Sequence, residues 1–266
     1  MTNMQPNPRP QRVLIVAPHP DDAEFMAGGT MARWARQGAY IHFLLITDGT
    51  GGSRDPQQTP EQLAAIRREE QRSAARILGA KDVTFLGYPD GRVEHTLELR
   101  LAIARVIRQV RPDVVITQDP LFRYSPNYIN HPDHRAVADA TLAAIMPTAN
   151  TRLSSSELLE EGLEPHDVTE VYMSAAVTPT VWLPVTAEDI ALQCAALHAH
   201  RSQMGDWQPD DMLREWSAKA AEQAREHGVD CEFAEAFAYV RLRTPEEWEA
   251  AATAGKTEAE SGQPQS

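Results

Sequence analysis

The chain has 266 residues, with 38 Asp and Glu against 25 Lys and Arg, which gives a formal net charge of −13 with the histidines neutral. At roughly 150 residues per domain this is one large domain or two small ones, able to bury roughly 70% or more of its unfolded surface without disulfides. The acidic balance and the lack of a Lys/Arg-rich stripe argue against nucleic acid as a partner. Only two cysteines, Cys194 and Cys231, are present, and no apolar run approaches the ~18 residues of membrane insertion.

From the N-terminus, residues 1–11 lack the apolar core of a signal peptide and read as a flexible segment, so a cytoplasmic address is expected. VLIVA (13–17) reads as a strand and 27–37 as a helix closing at Gly38. The alternation continues with strands at 40–47, 82–87 and 113–117 and helices at about 60–78, 96–110 and 131–146. Strands apolar on both faces, separated by helices, predict a Rossmann-like three-layer αβα sandwich with a mostly parallel sheet. Residues 148–170 read as a long surface excursion, where specificity or a subunit contact is expected. A strand at 171–177, helices at about 187–201 and 210–227 and a last strand at 234–242 follow. A single domain over 12–245 is expected, followed by a disordered acidic tail over 246–266.

The first strand runs into Pro18-His19-Pro20-Asp21-Asp22-Ala23-Glu24, and open α/β sheets bind ligands just outside the carboxyl ends of their strands. A dinucleotide fold would place a glycine-rich phosphate loop there. Carboxylates would repel a pyrophosphate, which argues against NAD. The second cluster, Asn130-His131-Pro132-Asp133-His134-Arg135, follows the fourth strand after a loop and opens a helix with Asn as a good cap. His131 and His134, three apart, then share one face. Either turn alone is ordinary Pro/Asp turn chemistry. Two such turns around one crevice point to a divalent ion, since a catalytic zinc keeps three His or carboxylate ligands and one open position. Asp21 and Asp22 point to different sides, so one is a ligand and the other addresses water as general base. Of His131 and His134, one completes the ligand set and the other polarises a carbonyl or protonates a leaving amine.

These residues resemble the LmbE-like, or PIG-L, zinc-dependent N-acetylglucosaminyl deacetylases. The hallmarks of that family are a P/A-H-P-D-D-x-E turn after the first strand and an H-P-D-H turn, standing here at 18–24 and 131–134. GGTMARWARQG, TDGTGG, RREEQRSAARILGA, FLGYPDG, AHRSQ and FAEAFAYV are more weakly similar, so the resemblance covers most of 12–242. It implies that His19, Asp22 and His134 hold Zn2+, with Fe2+ as an alternative metal, and that Asp21 is the general base. It also implies that His131, protonated and oriented by Asp133, stabilises an oxyanion, with Glu24 behind the ligands. The implied partner is a small-molecule amino sugar or its conjugate, losing acetate, and a homo-oligomer is compatible with the family. Some members carry a tyrosine where Ile129 stands here, two residues before the first His of H-P-D-H. Tyr128 is the candidate substitute, and Arg54 the candidate for holding a substrate hydroxyl, carboxylate or phosphate. An amidase acting on a larger acyl group of a sugar–thiol conjugate is the alternative enzyme. An inactive metal-binding module is a third reading, disfavoured because Asp21 and His131 both remain.

Other features read as structure. Cys194 and His198, four apart on a helix, are expected to be a buried small hydrophobe and its neighbour rather than a second metal site. His200 with Ser202 and Gln203 reads as packing or a subunit contact. Gly49-Thr50-Gly51-Gly52 lacks the Lys-Ser/Thr of a phosphate loop, and the charged face at 68–78 reads as solvated.

Overall fold

The computed structural model describes residues 6–53, 55–243 and 247. Apolar runs become strands and amphipathic stretches become helices: β1 Arg12–Ala17, α1 Asp22–Arg36, β2 Tyr40–Thr47, α2 Pro60–Ile77, β3 Asp82–Tyr88, α3 Leu97–Val110 and β4 Val114–Gln118. A small hairpin of β5 Tyr124–Ser125 and β6 Tyr128–Ile129 precedes α4 Pro132–Ala143. Then come α5 Ser156–Glu160, β7 Glu170–Ser174, β8 Val181–Val185, α6 Ala187–His198, α7 Arg201–Met204, α8 Asp210–Glu226 and β9 Phe233–Arg241. Thr59, Thr96 and Thr186 cap α2, α3 and α6 by accepting from backbone N–H groups of the first turn.

Seven strands form one sheet in the order β3-β2-β1-β4-β7-β9-β8. From β3 to β7 the neighbours are parallel, whereas β9 is antiparallel to both β7 and β8. The alternating residues of β1 divide between two cores. Val13, Ile15 and Ala17 pack with α1 and α2, and Leu14 and Val16 pack with α3 and α4. All five are fully buried, each large aliphatic contributing about 1.5–3 kcal/mol. The result is the expected three-layer fold. Chain order runs outward from β1 through β2 to β3 and then returns to the other side of β1 with β4, so the crevice at the switch point opens at the carboxyl ends of β1 and β4.

Several boundaries differ from expectation. Helix α1 begins at Asp22, five residues early, and carries a non-helical Ala27 inside it. Strand β8 escaped the sequence reading because Pro184 interrupts its pattern; it is an edge strand, where a proline is tolerated. The helix expected over 187–201 is broken at Ala199 and His200 into α6 and α7. Residues 6–11, expected as part of a free segment, are tied down where they are described. Asn7 N–H donates to Glu170, Gln11 N–H donates to Asp113 at 2.8 Å, and Pro10 is buried. Arg54 and the tail from 248 onward lie outside the described residues. No helix among the described residues is long and apolar enough to cross a membrane.

Candidate metal centre

The first turn leaves β1 at Pro18 and enters α1 at Asp22. Asp21 between them adopts a left-handed conformation at φ 98°, uncommon for a residue with a side chain and tolerated best by Asn and Asp. This conformation sends the two adjacent carboxylates apart. Asp21 meets Arg67 of α2 at 3.0 Å, while Asp22 turns to His19 and His134. The second turn comes from β4 through the hairpin. His131 caps α4, its Nδ1 accepting from the Asp133 N–H at 3.2 Å.

The hydrogen bonds fix the ring tautomers. Asn130 spends its amide N–H on the Phe122 carbonyl, so its oxygen accepts from His134 Nδ1–H at 2.9 Å and leaves the lone pair of His134 Nε2 facing Asp22 Oδ2 at 3.2 Å. His19 Nε2 faces Asp90 Oδ1 at 3.1 Å and Asp133 Oδ2 at 3.2 Å, and its Nδ1 lies 3.0 Å from the same Asp22 oxygen. Asp133 also accepts from the N–H groups of Gly91 and Val93, and Asp90 from that of Gly51, so this side of His19 is already satisfied. On the other side, Asp22 Oδ2 accepts from the His19 backbone N–H at 2.9 Å and also faces the His134 lone pair, a contact that needs a proton or a cation between them. Two donors on one tetrahedral zinc, bonded at about 2.0–2.1 Å, stand about 3.3 Å apart, close to both contacts of Asp22. Imidazole and carboxylate donors suit such an ion, and hydrogen-bonded carboxylates behind a histidine ligand are the usual support, although Asp22 belongs to neither group of described donors that converge within 4.8 Å. Donor atoms of His19, His131 and His134 lie within 4.8 Å of one another, as do those of His19, Asp90, His131 and Asp133.

Electrostatics follow from this packing. Burial alone would lower the His19 imidazole, but Asp133, Asp22 and Asp90 override it and hold it up to about 12. Burial opposes the Asp22 charge, and His134 and His19 win, holding that carboxyl well below its usual range. Asp21 behaves oppositely: burial pushes it up to about 7 against the pull of Arg67. Burial and then the neighbouring His19 lower His131. The Asp133 group that orients His131 is its backbone N–H rather than the expected carboxylate. That carboxylate stands 3.8 Å from His131 Nδ1 and bonds His19 instead, while the backbone N–H of Asp133 donates to His131 Nδ1 and leaves Nε2 turned away from it.

Glu24 is fully buried, one oxygen accepting from Gln71 Nε2 at 2.7 Å and the other 3.5 Å from His200 Nε2. The Gln71 oxygen accepts from the Asp21 N–H at 3.0 Å, so Glu24 acts on the turn through Gln71. His200 is fully buried and is not a surface contact. Sequence reasoning missed Asp90, Gln71 and Arg67, and read Asn130 as the cap of α4, a place His131 takes while Asn130 orients His134. Arg67 also donates to the Pro20 and Gly49 carbonyls, and a Cβ at Gly49, where φ is 69°, would come within 2.7 Å of it. Helical spacing held the signal, because Arg67 and Gln71 are one turn apart on the buried stripe of α2 while its charged face is exposed. Cys194 packs among Val185, Ile190 and Leu213, and His198 pairs with Asp210 at 2.6 Å, as expected of structural residues.

Asp21, Asp22 and His134 open into a cavity of about 900 Å³. Tyr128 lies in its wall, stacked on Phe122, while Ile129 is exposed and does not line it. Among the described lining residues none comes from 148–170, contrary to the expected place of specificity. The far wall comes instead from the segment between Trp207 and Ala220.

A family model described as GlcNAc-PI de-N-acetylase matches residues 14–145. The diacetylchitobiose deacetylase of Thermococcus kodakarensis is 31% identical over 206 residues, 77% of this chain and 73% of its own. A 1D-myo-inositol 2-acetamido-2-deoxy-alpha-D-glucopyranoside deacetylase from Kineococcus radiotolerans is 33% identical, but the match spans only 46% of that protein and 53% of this chain. Among solved structures, the N,N'-diacetylchitobiose deacetylase from Pyrococcus horikoshii superposes with a TM-score of 0.78 at 27% identity, covering 89% of this chain and 87% of its own. A 4-carboxy-2-hydroxymuconate hydratase from Pseudomonas putida KT2440 shares the fold at a TM-score of 0.73 and 22% identity, covering 88% and 98%, so the fold by itself does not name the reaction. With both turns in place and a relative matched over most of its length, the chain belongs to the PIG-L, or LmbE-like, family.

Proposed function

We propose that this chain is a metal-dependent N-deacetylase, hydrolysing the acetamide of an N-acetylglucosamine-type amino sugar or its conjugate and releasing acetate. The observation that carries this reading is the single Asp22 oxygen set 3.0 Å from His19 Nδ1 and 3.2 Å from His134 Nε2, with the Asp21 carboxyl directed separately. His19, Asp22 and His134 would hold the ion; Zn2+ suits imidazole and carboxylate donors, and Fe2+ is the alternative. When bound, such an ion polarises the acetamide carbonyl and makes water easier to ionise near neutral pH.

The protein residues supply the rest. Asp21 takes the proton of the attacking water and later passes it to the departing amine. Burial raises the Asp21 carboxyl to about 7 before an ion binds, which makes it a stronger base than an ordinary carboxylate, while a bound cation would favour its ionised form. His131, its Nδ1 occupied by the Asp133 N–H, presents Nε2–H to the developing oxyanion as a neutral donor. Tyr128, in the wall of the cavity, would supply a second donor. Asp90 and Asp133 hold the His19 ring, and Glu24 holds the Asp21 peptide through Gln71.

The test uses protein stripped of metal and reloaded with Zn2+, given N-acetylglucosamine and N,N'-diacetylchitobiose. Acetate and free amine should appear in equal amounts. His19→Ala, Asp22→Ala and His134→Ala should each lose bound zinc, whereas Asp21→Ala should keep it and lose turnover. Full metal content in the three ligand variants, or undiminished turnover in Asp21→Ala, would overturn these assignments.

A further inference from the structure

The cavity at the centre is larger than one sugar ring needs. At about 900 Å³ it lies near the top of the ~300–1,000 Å³ range of small-molecule sites. Its far wall is aromatic. Phe25, three residues along α1 from Asp22, stacks against Trp207, with ring centroids 6.1 Å apart and planes 24° apart. Trp216 of α8 stands on the same wall. Trp207 and Trp216 are 48% and 53% exposed, although large aromatic faces gain from burial. On the hairpin side Tyr128 stacks on Phe122, and Ser125 and Asn127 offer polar side chains at the rim. The charges are one-sided: the described residues lining the cavity include the carboxylates Asp21, Asp22 and Glu235 and no Lys or Arg. Apart from an ion held at the centre, an anionic substituent would meet no cationic side chain among the described lining residues.

We propose that the cavity selects an uncharged N-acetylated saccharide of two rings. The first ring presents its acetamide to Asp21 and His131, and the second lies with its apolar C–H face on Trp207, its hydroxyls toward the polar rim. This deepens the deacetylase reading and rests on it. It also separates the relatives, which include both a diacetylchitobiose deacetylase and a probable N-acetyl-alpha-D-glucosaminyl L-malate deacetylase, the second with an anionic conjugate in its name.

The experiment compares zinc-loaded wild type with Trp207→Ala and Trp207→Phe on N-acetylglucosamine, N,N'-diacetylchitobiose and N-acetylglucosaminyl malate. Wild type should favour the neutral disaccharide over both others by about tenfold or more in kcat/KM. In Trp207→Ala that preference over the monosaccharide should collapse by about tenfold, through KM, and Trp207→Phe, which keeps a ring on Phe25, should restore most of it. Equal use of monosaccharide and disaccharide, preference for the malate conjugate, or an equal loss on both neutral substrates in Trp207→Ala would overturn the proposal. Should no substrate release acetate, the deacetylase reading fails, and tryptophan emission decides the saccharide site by itself. A saturable change with the disaccharide that is absent in Trp207→Ala supports it, and no change overturns it.

Discussion

Asp21 concentrates the chemistry of the site in one strained residue. Its backbone sits at φ 98°, its N–H is held by Gln71 and its carboxylate by Arg67, which also grips the Pro20 carbonyl. A left-handed aspartate persists only where its surroundings over-determine it, and here α2 does so from two positions one turn apart. The charge of Arg67 opposes the burial that lifts the Asp21 carboxyl to about 7. As general base, Asp21 works when ionised, so kcat/KM should rise with pH through an acid limb. Replacing Arg67 with Met removes the positive charge that favours ionisation. The Asp21 pKa should then rise and the acid limb move to higher pH, read from kcat/KM profiles with bound metal measured at every pH. A limb that stays in place or moves to lower pH would show that the titrating base is another group.

At the scale of elements, the 144–163 segment is held by a guanidinium rather than by regular pairing. Arg108 of α3 is 2% exposed and donates to the carbonyls of Thr148, Ala149, Thr151 and Leu163 and to Ser155 Oγ, at 2.7–3.0 Å. Arg108→Met would strand several of these buried acceptors and cost about 3 kcal/mol or more. Calorimetry should show a melting temperature lower by roughly 6–12 °C. Turnover below the transition should be kept, because 148–170 contributes no described residue to the cavity wall. A melting temperature within a degree or so of wild type would mean that water replaces the clamp. The same elements show what a sequence makes legible. Parallel strands buried on both faces leave apolar runs such as VLIVA, whereas the edge strand β8, half exposed and carrying Pro184, leaves none. The two metal turns were legible because each is contiguous in the chain. Asp90, Arg67, Gln71 and His200 come from the turn after β3, from α2 and from the α6–α7 break, and only the fold brings them to His19, Asp21 and Glu24. Trp216 sits in a stretch that reads as an ordinary helix and Trp207 in the connection before it, and the cavity behind them is a property of packing.

Over the whole molecule, few of the charges behind the net −13 act together. Asp22, Asp90 and Asp133 do, converging on His19 from α1, from the end of β3 and from α4. Without a cation the fold meets that negative charge with a proton, which is why His19 is held up to about 12, from an ordinary 6.5. By linkage, this proton contributes stability in full below about 6.5 that is lost only as pH rises toward 12, so metal-free protein should remain folded at neutral pH. A bound divalent ion takes over the role and must displace the proton, so its affinity rises with pH. Metal held at a hundred times its dissociation constant stabilises by about 2.7 kcal/mol, or roughly 5–11 °C in melting temperature for a chain of this size. Calorimetry with Zn2+ and with chelator, at about pH 6 and about pH 8, should therefore show a gap that widens at the higher pH. The gap should vanish in His134→Ala and persist in Asp21→Asn, whose side chain holds the base position and not the ion. A gap that narrows as pH rises, or that survives in His134→Ala, would place the ion elsewhere, for instance on the Asp90 and Asp133 side of His19.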